Sequence, residues 1–421
     1  MSKSMYKDCE IGSIPTNWNI QKLEELANVT GGKRLPKGSS LSEINNGHPY
    51  IRVSDMNDKG IQLDSMLYVP DDVVEQISRY RVDKDDLYIS VAGTLGLVGK
   101  VPDELNGANL TENADRISNI RCNTDFLLYC LKSDFIKKII NSEMTTNAQP
   151  KLALTRIKQF PIPVPPLKEQ QKIAEILSSV DAAIEKTEQV IAKTEEVKKG
   201  LMQQLLTKGI GHTEFKQTEI GEIPVEWEVK KLVNFSKINS ENLTSSTQPE
   251  YEFNYIDIAT ITDTGIIGET TKYSFCDAPS RARRVVRNKD IIVSTVRPYL
   301  KSFAFITEEQ DGYIASTGFA IIRVNEDVDS NYIYQHILSE RFIEYCKSKM
   351  TGSNYPAISA NDVKEYSIGI PPLKEQKKIS SILNEYDKKL QCEKDKIIKL
   401  KSIKQGLMQQ LLTGQARVKV D

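Results

Sequence analysis

The sequence PPLKEQQKIAEIL at residues 165–177 is followed, later in the same chain, by PPLKEQKKISSIL at residues 371–383. A second phrase, GLMQQLLT, occurs at residues 200–207 and again at 406–413, with the same separation as the first pair. The stretch that joins the two phrases therefore has equal length in both copies. A repeat of this kind indicates a structural unit that the chain uses twice.

A third repeated phrase opens each half, EIGSIPTNW at residues 10–18 and EIGEIPVEW at 219–227. Between this phrase and PPLKEQ lie two segments of nearly equal length, about residues 22–164 and 231–370, whose sequences are barely alike. The connecting parts thus agree while the globular parts differ. We infer that the two globular parts perform parallel but different tasks.

The segment that follows each PPLKEQ phrase is predicted to be one long helix. Residues 167–206 contain no proline, and the preceding Pro-Pro pair suits a helix start because proline lacks a donor that the first turn would leave unused. Apolar residues recur at alternating steps of four and three, as in a coiled coil. The predicted helix-packing residues are Ile173, Leu177, Val180, Ile184, Ile191, Leu201, Leu205, Ile379, Leu383, Tyr386, Leu390, Ile397, Leu407 and Leu411.

Two helices of matching length and matching apolar stripe most economically pack against each other. Chain order then favours an antiparallel pair with one globular part at each end, related by a pseudo-twofold axis. Two other arrangements stay open, in which the helices pair with helices of another protein or form a four-helix core in a homodimer.

Each globular segment is predicted to be a mixed α/β unit of about 140 residues, because short apolar runs alternate with turn residues. The predicted strands are residues 48–56, 85–93, 253–261 and 289–297, and the predicted short helices are residues 126–140 and 331–346. The fold class is therefore α+β, with an internal repeat. The predicted domains are residues 1–164 and 209–370 for the globular parts, and 165–208 and 371–421 for the helical parts.

The charges nearly cancel, with 56 basic and 57 acidic residues, which argues against a bulk polycation but leaves room for local basic faces. Basic residues cluster in loops of both halves, and a polar loop precedes each PPLKEQ phrase. Arginine forks suit phosphate or a guanine edge, and Asn and Gln suit adenine. The candidate nucleic-acid contacts are Lys33, Arg34, Lys37, Arg52, Asn147, Gln149, Lys151, Arg281, Arg283, Arg284, Arg287, Arg297, Tyr299, Lys301, Ser353, Asn354 and Tyr355.

Familiar catalytic motifs are missing. The sequence has no GxxxxGK[ST], GxSxG or HExxH pattern, and its three histidines are scattered. The six cysteines form no CxxC pair, so we expect reduced thiols in a cytoplasmic protein without a bound metal. No apolar run approaches the roughly 20 residues that span a membrane. These absences together favour a binding protein over an enzyme.

At this point the sequence resembles the specificity subunit of type I restriction–modification enzymes. The resemblance rests on the duplication, the PPLKEQ[QK]KI phrase, the GLMQQLLT helix ends, the IG[SE]IPxxW phrase and the terminal LLTGQARV, and it covers essentially the whole chain. It implies two target-recognition domains, each of which reads one half of a split double-stranded DNA sequence. The helices would set the gap between the two half-sites.

The resemblance also implies partners. Two modification (methyltransferase) subunits and then restriction/translocase subunits would join this chain in an endonuclease and adenine DNA methyltransferase complex. S-adenosylmethionine, ATP and Mg would serve those partners, with no cofactor and no catalytic residue in this chain. Two alternatives remain: a coiled-coil scaffold whose globular ends bind proteins, and a fused methyltransferase, which would need donor-binding glycines that the sequence lacks.

Overall fold

The computed structural model describes residues 5–144, 151–352 and 355–419. By its contacts the chain divides into two units. The first unit is Met1–Glu188 with Asp395–Asp421, and the second is Gln189–Lys394. Each unit therefore contains one globular part, the start of one long helix and the end of the other. No helix in the described part of the chain is long and apolar enough to cross a membrane.

The first half of the chain consists of short strands followed by helices. Its strands are β1 (Tyr6–Cys9), β2 (Gly12–Pro15), β3 (Asn19–Lys22), β4 (Asn28–Gly31), β5 (Pro49–Ile51), β6 (Met56–Asn57), β7 (Gly60–Ile61), β8 (Leu67–Tyr68), β9 (Leu87–Ser90), β10 (Val98–Lys100), β11 (Asn109–Leu110), β12 (Ala114–Ser118) and β13 (Pro161–Val164). Its helices are α1 (Leu23–Leu26), α2 (Thr124–Leu131), α3 (Asp134–Met144), α4 (Leu154–Lys158) and the long α5 (Leu167–Lys208).

The second half repeats this order. Its strands are β14 (Phe215–Thr218), β15 (Gly221–Pro224), β16 (Glu228–Lys231), β17 (Ser236–Ile238), β18 (Glu252–Ile256), β19 (Ile261–Asp263), β20 (Ile266–Ile267), β21 (Thr271–Ser274), β22 (Ala282–Val285), β23 (Ile291–Ser294), β24 (Phe303–Phe305), β25 (Ile314–Ser316), β26 (Phe319–Val324) and β27 (Ser367–Ile370). Its helices are α6 (Ser330–Leu338), α7 (Glu340–Lys349), α8 (Ala360–Lys364) and the long α9 (Leu373–Leu412).

The two globular parts share a sheet topology although their sequences differ. A four-stranded sheet of order β10-β9-β12-β4 in the first unit corresponds to β24-β23-β26-β17 in the second. A second sheet of order β11-β5-β8 in the first unit corresponds to the strands β25-β18-β21 in the second unit. There the sheet has β22 as an additional strand beside β25. The pairs β1-β2 and β3-β13 recur as β14-β15 and β16-β27. The duplication seen in the connecting phrases therefore extends through the divergent parts.

Two of the predicted strands, one in each unit, lie inside the four-stranded sheet of that unit. β9 lies within predicted residues 85–93 and β23 within 289–297, and every residue of both strands is buried. Predicted residues 253–261 contain most of β18, which continues only to Ile256. The prediction for residues 48–56 is correct only at its start, because β5 ends at Ile51 and a 3-10 turn at Val53–Asp55 follows it.

The predicted short helices are each broken into two. α2 gives way to α3 at Ser133, and α6 gives way to α7 at Ser339. Ser339 accepts a hydrogen bond from the backbone N–H of Phe342, so its side chain caps the second helix of the pair. A serine hydroxyl satisfies a donor that a new helix start leaves unpaired, which is why the break falls at these residues.

The long helices pack in antiparallel pairs inside each unit. In the first unit the start of α5 shares a core with the end of α9, where Ile173 and Leu177 join Leu411 and Leu412. In the second unit the end of α5 shares a core with the start of α9, through the cluster that includes Leu205 and Ile379.

The predicted helix-packing positions differ in burial along each helix. Buried positions lie towards the helix ends and are Ile173, Leu177, Leu205, Ile379, Leu383 and Leu411. The remaining positions are half-buried and are Val180, Ile184, Ile191, Leu201, Tyr386, Leu390, Ile397 and Leu407. The two buried residues in the middle of α5 are polar, Thr187 and Thr194, and each hydroxyl donates to the carbonyl four residues earlier. The apolar seam therefore weakens away from the helix ends.

Candidate nucleic-acid interface

In the first unit, two of the repeated phrases and the segment that follows α9 meet at one buried carboxylate. The indole Nε1 of Trp18 donates to Glu169 Oε2 at 3.2 Å, and the guanidinium of Arg417 donates to Glu169 Oε1 at 2.8 Å. Gly414 follows the end of α9 with φ +69°, and a Cβ there would lie 2.5 Å from Pro15. Each of these contacts joins the entry phrase, the PPLKEQ phrase or the segment that follows α9 to another of them.

The second unit builds the same junction from its own copies. Trp227 Nε1 donates to Glu375 Oε2 at 3.2 Å, and Oε1 of the same carboxylate accepts from the Ile210 backbone at 2.9 Å. His212 Nε2 lies 3.0 Å from Glu375 Oε1 in the place that Arg417 takes in the first unit. Gly209 has φ +65° and leaves no room for a Cβ beside Trp227. The near-identity of the repeated phrases thus reflects one shared structural joint.

The glutamine of each PPLKEQ phrase fixes the globular part to the long helix. Gln170 Nε2 donates to Pro165 O at 2.8 Å, while its Oε1 accepts from the backbone N–H of Asn123 just ahead of α2. Gln376 makes the equivalent pair of bonds with Pro371 and Asp329, ahead of α6. Both glutamines are buried, so these bonds replace water at the start of each long helix.

Charged pairs join the two long helices in each unit. In the first unit Lys404 of α9 lies 2.6 Å from Asp181 of α5, and Tyr129 donates to the same aspartate at 2.8 Å. In the second unit Lys198 of α5 pairs with Asp387 of α9, which also accepts from Gln335 at 3.0 Å.

The basic loop of the first unit, residues 31–40, is fixed at its start and carries exposed cations. Gly32 donates to Ala114 O at 3.0 Å, and a Cβ on Gly32 would lie 2.0 Å from Thr111 O, so only glycine fits. Lys33 and Lys37 are exposed. The loop therefore presents its two lysines from a rigid base.

Two arginines of the first unit are engaged by carboxylates. The exposed Arg34 pairs with Glu112 at 2.7 Å, which raises the pKa of Arg34. Arg52 donates to Asp55 Oδ1 at 2.5 Å and to Ser65 O at 2.9 Å, so it braces the 3-10 turn that follows β5.

The polar loop of the first unit lies largely outside the described residues, which include neither Asn147 nor Gln149. Lys151, at its end, is exposed. Its neighbour Leu152 donates a backbone hydrogen bond to Val91 O at 2.9 Å, so the loop ends beside the β9–β10 turn.

A buried carboxylate that the sequence did not single out lies near the basic loop. Asp115 of β12 pairs with Gly31 of β4, and its Oδ2 has no hydrogen-bond partner among the described residues. Burial raises the pKa of Asp115 to about 6, and the charges of Lys151 and Lys158 oppose that rise. The first unit thus contains a buried carboxyl group whose pKa is affected by the charge of Lys151, a predicted DNA-contact residue.

In the second unit the arginine cluster at residues 280–287, predicted as a turn, forms strand β22 and its ends. β22 pairs with β25 through an irregular register, so its side chains do not alternate cleanly. Arg281 is exposed, and the Arg283 guanidinium lies 4.8 Å from the ring centre of Phe275. Arg284 is half-buried and donates to Asn242 at 3.3 Å, and burial lowers its pKa.

Arg287 differs from the other arginines of this cluster because carboxylates hold it. It pairs with Glu241 through two nitrogens, and Asp311 lies 4.0 Å away. Glu241 also binds Arg323, which in turn pairs with the buried Asp290 at 2.8 Å. Arg287 is therefore part of an ion-pair network that ties β22 to β23 and β26.

The two remaining loops of the second unit, predicted separately, lie side by side. Arg297 donates its backbone N–H to Pro356 O at 2.8 Å, and its guanidinium lies 4.7 Å from the ring centre of Tyr355. Tyr299 is exposed, whereas Lys301 pairs with Glu340 at 2.9 Å. Ser353 and Asn354 lie outside the described residues.

Some structural features of the two units could not be predicted from the sequence pattern. The junction glutamates belong to a phrase whose repetition was plain, but only the fold brings them to Trp18 and Trp227. The buried Asp115 sits in an ordinary strand pattern. Among residues 5–144, 151–352 and 355–419, no cluster of three or more histidine, cysteine or carboxylate side chains could hold a metal ion.

These features define a protein of two matched α+β units, each with basic residues in its loops and each completed by an antiparallel helix pair. The family model of the type I restriction modification DNA specificity domain matches the chain twice, at residues 15–196 and 224–402. The chain therefore belongs to this family, as a DNA specificity subunit that carries two copies of the domain and no catalytic role of its own. The scaffold alternative is not favoured.

The chain is similar to a relative named as a specificity subunit, and it shares its fold with two solved structures. The chain is 30% identical, over 98% of its length and 97% of the relative, to a putative type I restriction enzyme MjaX specificity subunit of Methanocaldococcus jannaschii. A solved type I restriction–modification S subunit from M. genitalium shares the fold, with a TM-score of 0.56 over 96% of this chain and 97% of that one, at 16% identity. A solved chain from a study of complex assembly in the type I R-M system also shares the fold. Its TM-score is 0.54 over 96% of this chain and 99% of that chain, at 20% identity.

Proposed function

We propose that each unit recognises one half-site of a bipartite DNA sequence, and that this chain thereby directs a modification complex to that sequence. The observation that carries the proposal is the repeated placement of loops. In both units the turn after the central strand, β9 or β23, is hydrogen-bonded to the polar loop that precedes PPLKEQ, through Leu152 to Val91 and Ile358 to Thr295. Two domains that recognise different sequences can share this loop arrangement if their loop side chains differ.

We propose that the long helices fix the gap between the half-sites. Half-site contacts that are weak singly become strong together when a rigid connection matches their spacing. α5 has 42 residues and α9 has 40, so a helix of either length extends roughly 60 Å at 1.5 Å per residue. Deletion of one heptad between Leu177 and Ile184 is expected to shorten or abolish the accepted gap, and an unchanged gap would refute this part of the proposal.

We propose that two modification subunits dock on the long helices and that restriction subunits join them in the cytoplasm. Support comes from apolar side chains on outward faces, since Ile398 is 67% exposed and Ile403 is 52% exposed in the first unit. Val197 is also exposed in the second unit. In this proposal S-adenosylmethionine, ATP and Mg serve the partner subunits.

The experiment is to map modified bases in the genome of the strain that carries this gene, before and after its deletion. We expect one split motif, with two short half-sites and a fixed unspecific gap, to lose its modification on deletion and to regain it on complementation. A contiguous motif, or modification that does not depend on the gene, would contradict the proposal.

A further inference from the structure

The turn after the central strand has two left-handed residues in each unit, but it is one residue longer in the second unit and is built from different residue types. In the first unit the turn between β9 and β10 has left-handed φ at Gly93 (+74°) and Gly96 (+75°). In the second unit the turn between β23 and β24 has left-handed φ at Arg297 (+47°) and Lys301 (+54°). Glycine takes this conformation freely, whereas a residue with a Cβ is strained there. The second unit therefore keeps two strained positions that the first fills without strain.

The surrounding structure holds this strained turn in place. Val296 bridges Ala357, and the backbone bond from Arg297 to Pro356 continues the contact. Between the two left-handed residues, Pro298–Leu300 forms one 3-10 turn with Pro298 buried. Strain that neighbouring structure maintains in this way occurs mainly at functional sites.

The two strained side chains have separate surroundings. Lys301 forms an ion pair with Glu340 at the start of α7, so it anchors the turn. Arg297 instead lies over the ring of Tyr355, which is 70% exposed. Beside them Leu300 is 61% exposed. The tip of the turn is thus a planar cation, backed by an aromatic ring, with apolar and aromatic neighbours that solvent can reach.

We propose that Arg297, supported by Tyr355, is the principal base-reading residue of the second unit and that it recognises a guanine. The guanidinium fork matches the O6 and N7 acceptors that guanine presents in the major groove. An arginine stacked on a ring is also pre-organised, so less side-chain freedom is lost on binding. Tyr299 and Leu300 lie beside it, where they contact the neighbouring base or sugar. In the first unit Gly93 offers no side chain at the corresponding position, so other residues would read its half-site. This inference rests on the proposed function.

The test uses Arg297→Gly with Lys289→Gly as its matched control. Lys289 is also left-handed (φ +71°) and also in the second unit, but it precedes β23, lies away from the turn and is exposed, whereas Arg297 is half-buried. Both changes relieve backbone strain, and the greater freedom of glycine in the unfolded chain offsets part of that gain, so we expect the unfolding temperature of each variant to stay within about 2 °C of the wild type. Only Arg297→Gly is expected to change which bases are accepted.

The readout is binding of the complex, purified from its own strain through a tag on this chain, to duplexes that carry each single base-pair change in the mapped motif. Arg297→Gly is expected to lose about tenfold to hundredfold discrimination at one G·C pair of one half-site. Unchanged discrimination, or an equal loss across both half-sites, would overturn the inference. Failure of the proposed function is separate, because the wild-type complex would then recognise no split motif.

Discussion

The indole of Trp18 and the carboxylate of Glu169, far apart in the chain, meet in a buried hydrogen bond of 3.2 Å, and Trp227 and Glu375 repeat it in the second unit. The tryptophan enters the globular part, and the glutamate stands in the first turn of a long helix, where a negative charge is favourable. This bond explains why the entry phrase and the PPLKEQ phrase are repeated while the segments between them are not. The joint is common to both units, and the recognition loops are not.

Replacement of Trp18 by phenylalanine is expected to destabilise the protein by about 1–3 kcal/mol, because a buried carboxylate oxygen loses its indole donor and keeps only the Arg417 guanidinium. Chemical denaturation measured by circular dichroism gives this value. Glu169→Gln is the companion variant, because it retains an acceptor for the indole but loses the charge that Arg417 binds. A Trp18→Phe protein as stable as the wild type would show that the bond contributes nothing.

The pair Asp181–Lys404 is expected to contribute about 0.2–1 kcal/mol of coupling energy, since both side chains are partly exposed and water screens their charges. A double-mutant cycle with Asp181→Ala and Lys404→Ala measures this coupling energy. The equivalent cycle at Asp387 and Lys198 is the matched control in the second unit. Because each pair joins α5 to α9, zero coupling in both cycles would show that these ion pairs do not stabilise the helix contact.

Asp115→Asn is expected to stabilise the protein more at pH 8 than at pH 5. The pKa of Asp115 is raised to about 6, so the folded chain holds the proton more tightly than the unfolded chain does. The neutral form is therefore favoured in the fold, and stability is lost as pH rises from about 4 through 6. The asparagine side chain is neutral at every pH and removes that loss. Thermal unfolding of both proteins across this range is the measurement, and parallel pH profiles would contradict the expectation.

Lys33→Ala with Lys37→Ala is expected to weaken DNA binding by the complex without a change in base preference. Exposed lysines neutralise phosphates, and each lost contact lowers the slope of log K against log salt by about 0.9. Titrations at several salt concentrations therefore distinguish these lysines from a base-reading residue such as Arg297. A change in preferred bases with an unchanged salt slope would reverse the assigned roles.

The sequence predicted the parts of the fold that depend on periodicity and repetition. The long helices and the central strands β9 and β23 follow from apolar spacing, which reports burial directly. The duplicated plan follows from the repeated phrases. The breaks at Ser133 and Ser339 escaped prediction because a serine inside an apolar pattern does not reveal whether it caps a new helix.

The candidate surface was predictable in composition but not in arrangement. The sequence marked Arg287 and Arg52 for their charge, yet only the fold shows that carboxylates engage them. The left-handed backbone of Arg297 likewise has no sequence signal, because arginine is an unusual choice for that conformation. Which residues contact DNA stays a prediction for all the candidates.

The most direct measurement of the central claim is the motif modified by a hybrid chain. In the hybrid, residues 231–370 are replaced by the corresponding segment of a relative with a different specificity, and both junctions and both long helices are kept. Modified-base sequencing of the strain is expected to show one half-site exchanged, with the other half-site and the gap unchanged. A hybrid motif in which both half-sites change, or neither does, would contradict the assignment of one half-site to each unit.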